Sequence, residues 1–258
     1  MSNRSVTFET KVWENDWELI LKTSRIADAI ERCGFPFSNK KVFINNVRNR
    51  NLVETAAQKL VSNGTIDSFV FVDDFAKEAL SHFQITQDQL GEGYVYSISE
   101  LVSIFTCTSE YLLHFSGDSI PEKSPEKNWL LKGIDCLQNN PNTKVFNLTW
   151  NNKYQQAQQE AFSEDDFFYY GFGFSDQMYL IKPAEFRQPI YNQQNEISNR
   201  YPAYGGELFE KRVDAWMRNN GHGRATLKSS SYLHVNFRKN KFLKKIGCAL
   251  NLPNFPLR

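Results

Sequence analysis

The sequence predicts an α/β protein in which a largely parallel central sheet is flanked by helices. Through the first 150 residues, strand-like apolar segments alternate with segments of helical period. Such alternation favours parallel strands joined by right-handed crossovers. The chain has 258 residues and 41% hydrophobic content, enough to bury a sizeable core.

The first half contains this alternation. Apolar alternation predicts a strand over 6–12, and helical spacing predicts one helix over 17–32. Further strands are expected at 42–44, 66–72, 94–97, 110–115 and 145–148. Further helices are expected at 52–60, 75–80, 100–105 and 128–137. Asp73 and Asp74 are typical of a helix N-cap, as is Ser99.

The second half has a different pattern, which predicts a mixed arrangement of strands and helices. Aromatic residues make up 14% of the chain and are dense in segment 167–174. Aromatic walls suit sugar faces and nucleobases, although aromatic residues also fill ordinary cores. A helix is expected at 207–217 and a strand at 230–237, followed by a basic tail.

Composition and missing motifs exclude several classes of protein. The formal net charge of +1 gives no global attraction for nucleic acid. We find no apolar signal region at the N-terminus and no apolar run long enough to span a membrane, so we expect a cytoplasmic protein. The four cysteines lack C-x-x-C spacing and are expected to be reduced. Phosphate-binding P-loop, dinucleotide-binding and nucleophile-elbow motifs are absent.

Polar residues that follow the predicted strands are the candidate binding residues, because ligands of open α/β sheets lie at the carboxyl ends of the strands. These residues are Glu14, Asp16, Asn45, Asn46, Ser116, Gly117 and Asp118. Asp118 follows the most apolar strand, and such a carboxylate could hold a divalent cation that bridges two phosphates. Each of these residues is equally suited to a helix cap or turn.

Three segments together resemble the GT-A glycosyltransferases, and in particular their large inverting, family 2-like group. Ser116-Gly117-Asp118 stands where that group carries an acidic D-x-D motif. Residues 129–145 are similar to the segment that follows the motif, and residues 204–212 resemble a Gly-Glu-Asp-x-x-Leu-x-x-Arg helix start. Two departures are clear: Ser116 replaces the first acidic residue, and Leu208 follows Glu207 where the group has Asp.

The resemblance implies a single GT-A-like (Rossmann-like) domain over 1–258. Residues 1–150 would bind the nucleotide sugar, residues 151–237 would form the acceptor and catalytic half, and residues 238–258 would be a basic tail. The implied reaction is transfer of a sugar from a nucleotide-diphosphate sugar to a hydroxyl of a glycan or lipid-linked acceptor, by inversion, as in polysaccharide biosynthesis.

The resemblance also implies roles for individual residues. Glu207, or alternatively Asp176, would be the general base, and Asp118 would lie at the donor diphosphate. Asp118 and His234 would bind a divalent cation, Mn²⁺ or Mg²⁺. Arg48, Arg50 and Lys132 are candidates for neutralising the diphosphate if no metal is used.

Other interpretations of the same features remain open at this point. Glu207 also suits the first turn of a helix, and His234 also suits a purely structural place in a strand. The tail could rest on the inner face of an anionic membrane or form a solvated basic helix. The chain could also be a non-catalytic sugar- or nucleotide-binding protein of the same fold. A sugar nucleotidyltransferase is a third alternative, although the loop after its first strand would be expected to be basic and Gly-rich.

Overall fold

A single sheet of ten strands runs through both halves of the chain. The computed structural model describes residues 4–201, 207–234, 236–237 and 240–252. The strands are β1 (Val6–Val12), β2 (Asn39–Ile44), β3 (Ser68–Phe71), β4 (Tyr111–Phe115), β5 (Ser119–Pro121), β6 (Thr143–Trp150), β7 (Ala161–Glu164), β8 (Phe168–Gly171), β9 (Met178–Ile181) and β10 (Gly223–His234).

The strand order is β3-β2-β1-β4-β9-β6-β10-β8-β7, and β5 pairs with the end of β10. Strands β1, β2, β3, β4, β6, β7 and β10 run in one direction, while β5, β8 and β9 run in the other. The sheet is therefore mostly parallel in its first half and mixed in its second, which confirms the predicted fold class.

The helices cover both faces of this sheet. They are α1 (Trp17–Leu21), α2 (Arg25–Cys33), α3 (Arg50–Ser62), α4 (Ala76–His82), α5 (Gln87–Leu90), α6 (Tyr94–Thr106), α7 (Trp129–Asn139), α8 (Tyr154–Gln159), α9 (Pro183–Phe186), α10 (Phe209–Asn219) and α11 (Lys241–Ala249). Helices α1, α2, α3 and α7 pack on one face, and α4, α5, α6, α9 and α10 contribute to the core on the other.

Alternation along the central strands divides the core between the two faces. In β4, Leu113 packs among the residues of one cluster and Leu112 among those of the other. In β1, Val6 and Phe8 face α1 to α3, so Thr7 and Glu9, which alternate with them, face α6. The face of β1 and β4 that lies against α6 therefore carries polar residues inside the protein.

Three local predictions were wrong, each for a physical reason. The predicted helix over 17–32 is two helices, because the Thr23 hydroxyl donates to the Leu19 carbonyl and also accepts from the backbone N–H of Arg25. The predicted strand at 94–97 is the first turn of α6, whose apolar stripe continues into the core. Asp74 does not cap α4; its carboxylate pairs with Arg50, and Phe75 holds the N-cap position.

The described part of the basic tail is helical. Helix α11 lies against α1, Lys244 donates to the backbone carbonyl of Asn15, and Asn251 accepts from the backbone N–H of Ser24. The helical interpretation of the tail thus agrees with the structure. No helix in the described ranges is long and apolar enough to cross a membrane.

Gly133 provides a test of how tightly α7 packs on the sheet. A Cβ atom at this position would lie 2.6 Å from ring atoms of Phe146 in β6. We expect Gly133→Ala to lower the free energy of unfolding by about 1–3 kcal/mol, because the overlap outweighs the gain in helix propensity. Urea unfolding measures this change. Gln138→Ala, at an exposed site on the same helix, should change it by less than about 0.5 kcal/mol, and equal stability of the two variants would contradict the packing.

Candidate active site at the carboxyl ends of the strands

A cleft of about 370 Å³ opens where β1, β2 and β4 end. Most of the residues predicted from the sequence line it: Asp16, Asn45, Asn46, Ser116, Gly117, Asp118, Asp176 and His234. Lys11, Trp13, Tyr96 and Gln177 lie in the same wall. Strands that are far apart in the sequence thus bring these polar groups to one edge of the sheet, as expected for parallel strands.

Asp118 and His234 meet in this cleft. Asp118 Oδ2 lies 3.2 Å from His234 Nε2, and the hydroxyl of Ser116 donates to Asp118 Oδ1 over 2.9 Å. Burial would raise the pKa of Asp118, but the hydrogen bond and charge of His234 hold it below the usual value. Burial would lower the pKa of His234, and Asp118 raises it above the usual value. The two side chains form a partly buried ion pair.

Gly117 allows the turn beneath Asp118 to approach the end of β1. A Cβ atom on Gly117 would lie 2.8 Å from the backbone carbonyl oxygen of Lys11 and would overlap the side chain of Ile20. The Gly117 carbonyl also accepts from Arg25 Nε over 3.2 Å. A larger residue at this position would push the strand ends apart and widen the cleft.

Asp16 extends the cleft into a neighbouring groove of about 510 Å³. The groove is also lined by Trp13, Phe237 and Lys244, so that helix α11 forms one of its walls. Asp16 Oδ1 accepts from the backbone N–H of Trp13 over 2.8 Å. Burial, together with the charge of Asp118, raises the pKa of Asp16 to about 8. The groove thus combines an exposed aromatic ring, a carboxyl group and an amine.

Lys11 is a site residue that the sequence reasoning missed. Its amine forms an ion pair with the fully buried carboxylate of Glu100 in α6, and lies 3.7 Å from Asp176 Oδ2. Ser99 donates to the other oxygen of Glu100. The alternation of apolar and polar residues along β1 is a signal that could have identified Lys11, because Glu9 and Lys11 face the same side.

A buried network holds Asp176 from behind. His114 donates from Nδ1 to Glu9 Oε1 over 2.8 Å, and from Nε2 to the backbone carbonyl of Asp176 over 2.9 Å. Both ring nitrogens thus have an oxygen partner. Tyr179 stacks on the ring at 4.6 Å, and Ser103 donates to Glu9. His114 is therefore a satisfied buried residue, and it fixes the backbone of Asp176.

Glu210, in the first turn of α10, lies directly behind Asp176. Its Oε2 accepts from the backbone N–H of Asp176 over 3.4 Å. Burial, followed by the charge of Asp176, raises the pKa of Glu210 to about 8, although Lys11 acts in the opposite direction. Two carboxyl groups therefore share one region, and repulsion between their charges keeps a proton on Glu210 at neutral pH.

Glu207 and Glu14 do not line this cleft. Glu207 lies just before α10, pairs with Lys211 at 2.6 Å, and borders a separate pocket together with Gln193. Glu14 accepts from the backbone N–H of Arg48. Glu210, one helical turn beyond Glu207, is the carboxylate that meets Asp176.

The side chains of the cleft supply some of the ligands that a divalent cation needs. Asp118 supplies a carboxylate and His234 an imidazole, and both are ligands that Mn²⁺ accepts. Among the described residues, no group of three or more Asp, Glu, His or Cys side chains is arranged to hold a metal ion. A bound cation would therefore need further oxygen ligands from a substrate and from water.

Comparison with known proteins gives matches to solved structures alone. No protein-family model and no curated protein sequence matches the chain. It is similar to glucosyl-3-phosphoglycerate synthase from Mycobacterium tuberculosis, with a TM-score of 0.50, 11% identity, and coverage of 97% of this chain and 79% of that one. It is also similar to GalNAc-T7, with a TM-score of 0.56, 9% identity, and coverage of 92% and 45%.

The chain has a GT-A fold. At identities of 11% and 9%, these similarities concern the arrangement of the backbone. The chain spans less than half the length of the GalNAc-T7 chain. The predicted fold family is therefore confirmed, while the roles of the side chains depend on the geometry of the cleft.

The raised pKa of Glu210 predicts how stability depends on pH. Between about pH 4.5 and about pH 8, the folded protein retains a proton on Glu210 that the unfolded chain has lost. Stability contributed by this group is therefore lost as the pH rises through that range. We expect urea unfolding of Glu210→Gln to show a smaller loss of stability between pH 5 and about pH 8 than the wild-type protein. Glu78→Gln, an exposed control, should follow the wild-type curve. If Glu210→Gln follows the wild-type curve as well, the pKa of Glu210 is not raised in the folded protein.

Proposed function

We propose that this protein is a glycosyltransferase that transfers a sugar from a nucleotide-diphosphate sugar to an acceptor hydroxyl. The observation that carries the proposal is that one cleft contains two functional groupings at the strand ends. The Asp118–His234 pair lies with Asp176, which is backed by Glu210. The GT-A fold and this placement support the same activity.

The donor would occupy the cleft and the adjoining groove. The exposed ring of Trp13 offers a stacking surface for a nucleobase, and Asp16 and Asn45 offer polar groups for the ribose. Glu14, which lies outside the cleft, is the predicted donor residue with the least support. Lys11 and Lys244 lie in the walls of these cavities and supply positive charge for a diphosphate.

A divalent cation would be held by Asp118 and His234. When bound, it would neutralise the diphosphate and so favour departure of the nucleotide. The related structures of glucosyl-3-phosphoglycerate synthase and GalNAc-T7 contain UDP and Mn²⁺. We propose the same classes of ligand here, a uridine or other nucleoside diphosphate with Mn²⁺ or Mg²⁺.

Asp176 is the proposed general base, and Glu210 its supporting carboxylate. Asp176 lines the cleft, so its carboxylate can accept the proton of an acceptor hydroxyl while the oxygen attacks the anomeric carbon. The bond from that carbon to the diphosphate breaks on the opposite side, which inverts the anomeric centre. Burial and the charge of Asp176 raise the pKa of Glu210 to about 8, so Glu210 supports Asp176 as a neutral carboxyl group near neutral pH. Glu207 was the first choice from the sequence and is retained as an alternative to be tested.

We also propose where the acceptor approaches the cleft. A glycan or lipid-linked hydroxyl would approach from the half of the chain after β6, which carries the aromatic strands. Contact of the basic tail with an anionic membrane stays a prediction. In the structure, Lys244 of α11 donates to the backbone carbonyl of Asn15 and lines the groove beside the cleft.

Variants of Asp118 and Asp176 would test these roles. We expect Asp118→Ala to abolish binding of UDP in the presence of Mn²⁺, because the cation that would hold the diphosphate loses its carboxylate ligand. We expect Asp176→Asn to keep UDP affinity and to lose about 10²–10⁴-fold in turnover, the usual contribution of a positioned base. Binding is measured by calorimetry, and turnover as release of UDP from a panel of UDP-sugars.

Two further variants make the assignment sharper. Glu210→Gln should keep turnover near neutral pH, where Glu210 is itself protonated, and should change the pH profile only above about pH 8, where Glu210 ionises. Glu207→Gln tests the alternative base. Full activity of Asp176→Asn together with loss of activity in Glu207→Gln would show that our base assignment is wrong, and absence of binding for every nucleotide tested would sink the transferase proposal.

A further inference from the structure

A second charged cluster lies beside the proposed base and has no role in the donor site. Arg200 and Arg224 converge on Gly173, which has a φ of +108°, a conformation that favours glycine. A Cβ atom on Gly173 would lie 2.5 Å from Arg200 Nη2 and 3.1 Å from Arg224 Nη1. The absence of a side chain at this position thus leaves space in which two guanidinium groups meet.

The arginines in this cluster outnumber the carboxylates that contact them. Asp214 is fully buried and accepts from Arg218 Nε over 2.8 Å, while Arg200 lies 4.0 Å from it. Arg224 lies 3.5 Å from Glu160, and its Nε donates to the hydroxyl of Thr226. Among the described residues, these three arginines therefore pair with two carboxylates, and the contacts of Arg200 and Arg224 are the long ones.

Arg224 is unusual because its side chain is only 7% exposed, whereas that of Arg200 is 43% exposed. A buried guanidinium needs a compensating negative charge to offset its loss of hydration. Arg224 has the 3.5 Å contact with Glu160 and lies 5.4 Å from the centre of the Trp150 ring. An anion could approach the exposed guanidinium of Arg200 and bind against the buried guanidinium of Arg224.

The cluster is close to the reaction centre. Gly173 is three residues before Asp176, so their Cα atoms are separated by at most about 10 Å. The hydroxyl of Tyr201 accepts from the backbone N–H of Phe174 and donates to its carbonyl, which fixes the intervening segment. Burial and the charge of Asp176 raise the pKa of Glu210, and the charge of Arg200 lowers it. Arg200 and Glu210 therefore interact electrostatically.

We infer that the acceptor is a small molecule with a phosphate or carboxylate group, which Arg200 and Arg224 hold while its hydroxyl lies at Asp176. Two arginines recognise such an anion through paired charge-assisted hydrogen bonds. An anionic group on a sugar or polyol would compensate the charge of these arginines, whereas a neutral glycan would not. This inference rests on the proposed transferase activity and specifies its acceptor.

Inorganic phosphate is the probe for the site. It is titrated into the full chain by calorimetry with UDP and Mg²⁺ at saturation, so that the donor site is already occupied. We expect the wild-type protein to bind phosphate, and Arg200→Gln to weaken that binding by about tenfold or more, as for loss of one charged hydrogen-bond pair. Arg224→Lys, which keeps the charge, should weaken binding less than Arg224→Gln. Arg50→Gln, at the other end of the sheet, is the matched control and should bind as wild type.

The outcomes separate this inference from the proposed function. Binding of UDP without binding of phosphate, or equal phosphate affinity in Arg200→Gln and Arg50→Gln, overturns the anion site and leaves the donor site intact. Arginines with a merely structural role would lower thermal stability when replaced and leave phosphate affinity unchanged, which also overturns it. Failure of UDP to bind, with phosphate binding that depends on Arg200, overturns the transferase proposal instead.

A comparison of paired acceptors extends the test to turnover. Glycerol and glycerol 3-phosphate are supplied with the donor sugar that the protein hydrolyses fastest. Vesicles containing lysophosphatidic acid, which keeps a free glycerol hydroxyl beside its phosphate, are supplied in a separate arm. Stimulation of UDP release by a phosphate-bearing acceptor, lost in Arg200→Gln, supports the inference, and the arm that responds shows whether the phosphate belongs to a soluble or a lipid molecule. Stimulation by glycerol alone contradicts it.

Discussion

The buried pair between Glu9 and His114 is the interaction on which the cleft depends. It links β1 to β4 at the centre of the sheet, and His114 continues it to the backbone of Asp176. Loss of one partner would leave the other polar group buried without its hydrogen bond, which lowers stability. Tyr179 and Ser103 supply additional contacts to the same pair. The position of Asp176 is thereby fixed by the core of the protein and not by its own surface loop.

A second consequence is the charge balance in front of this network. Lys11 faces Glu100 and Asp176, and Glu210 adds a third carboxyl group. Burial, together with the charge of Asp176, raises the pKa of Glu210, and the single amine of Lys11 only partly offsets this. Asp118 takes its positive partner from His234 on the other side. In the proposed function, Asp118 and His234 form the metal-binding end of the cleft and Asp176 its proton-accepting end.

Much of this could be predicted from the sequence, because hydrophobic period and strand-end position are local properties. The order of most strands and helices in the first half and the strand-end position of Asp118 follow from such patterns, whereas the metal-ligand role of His234 is implied only by the resemblance. The helix was predicted over 100–105, but the first part of the helix at Tyr94–Thr106 could not be predicted, since its first residues alternate like a strand and its burial depends on distant partners. Lys11 and Glu210 were missed for the same reason: each acquires its role from a residue far away in the sequence, Glu100 or Asp176.

The position of a bound nucleotide tests most directly the claim that this cleft is the donor site. Crystals would be soaked separately with UDP and GDP in the presence of Mn²⁺, and the diphosphate and cation located by difference density and anomalous scattering. We expect the cation at Asp118 and His234, with the base in the groove beside Trp13. A nucleotide bound in the separate pocket beside Glu207, or a cation that avoids Asp118, would contradict the assignment of this cleft as the donor site.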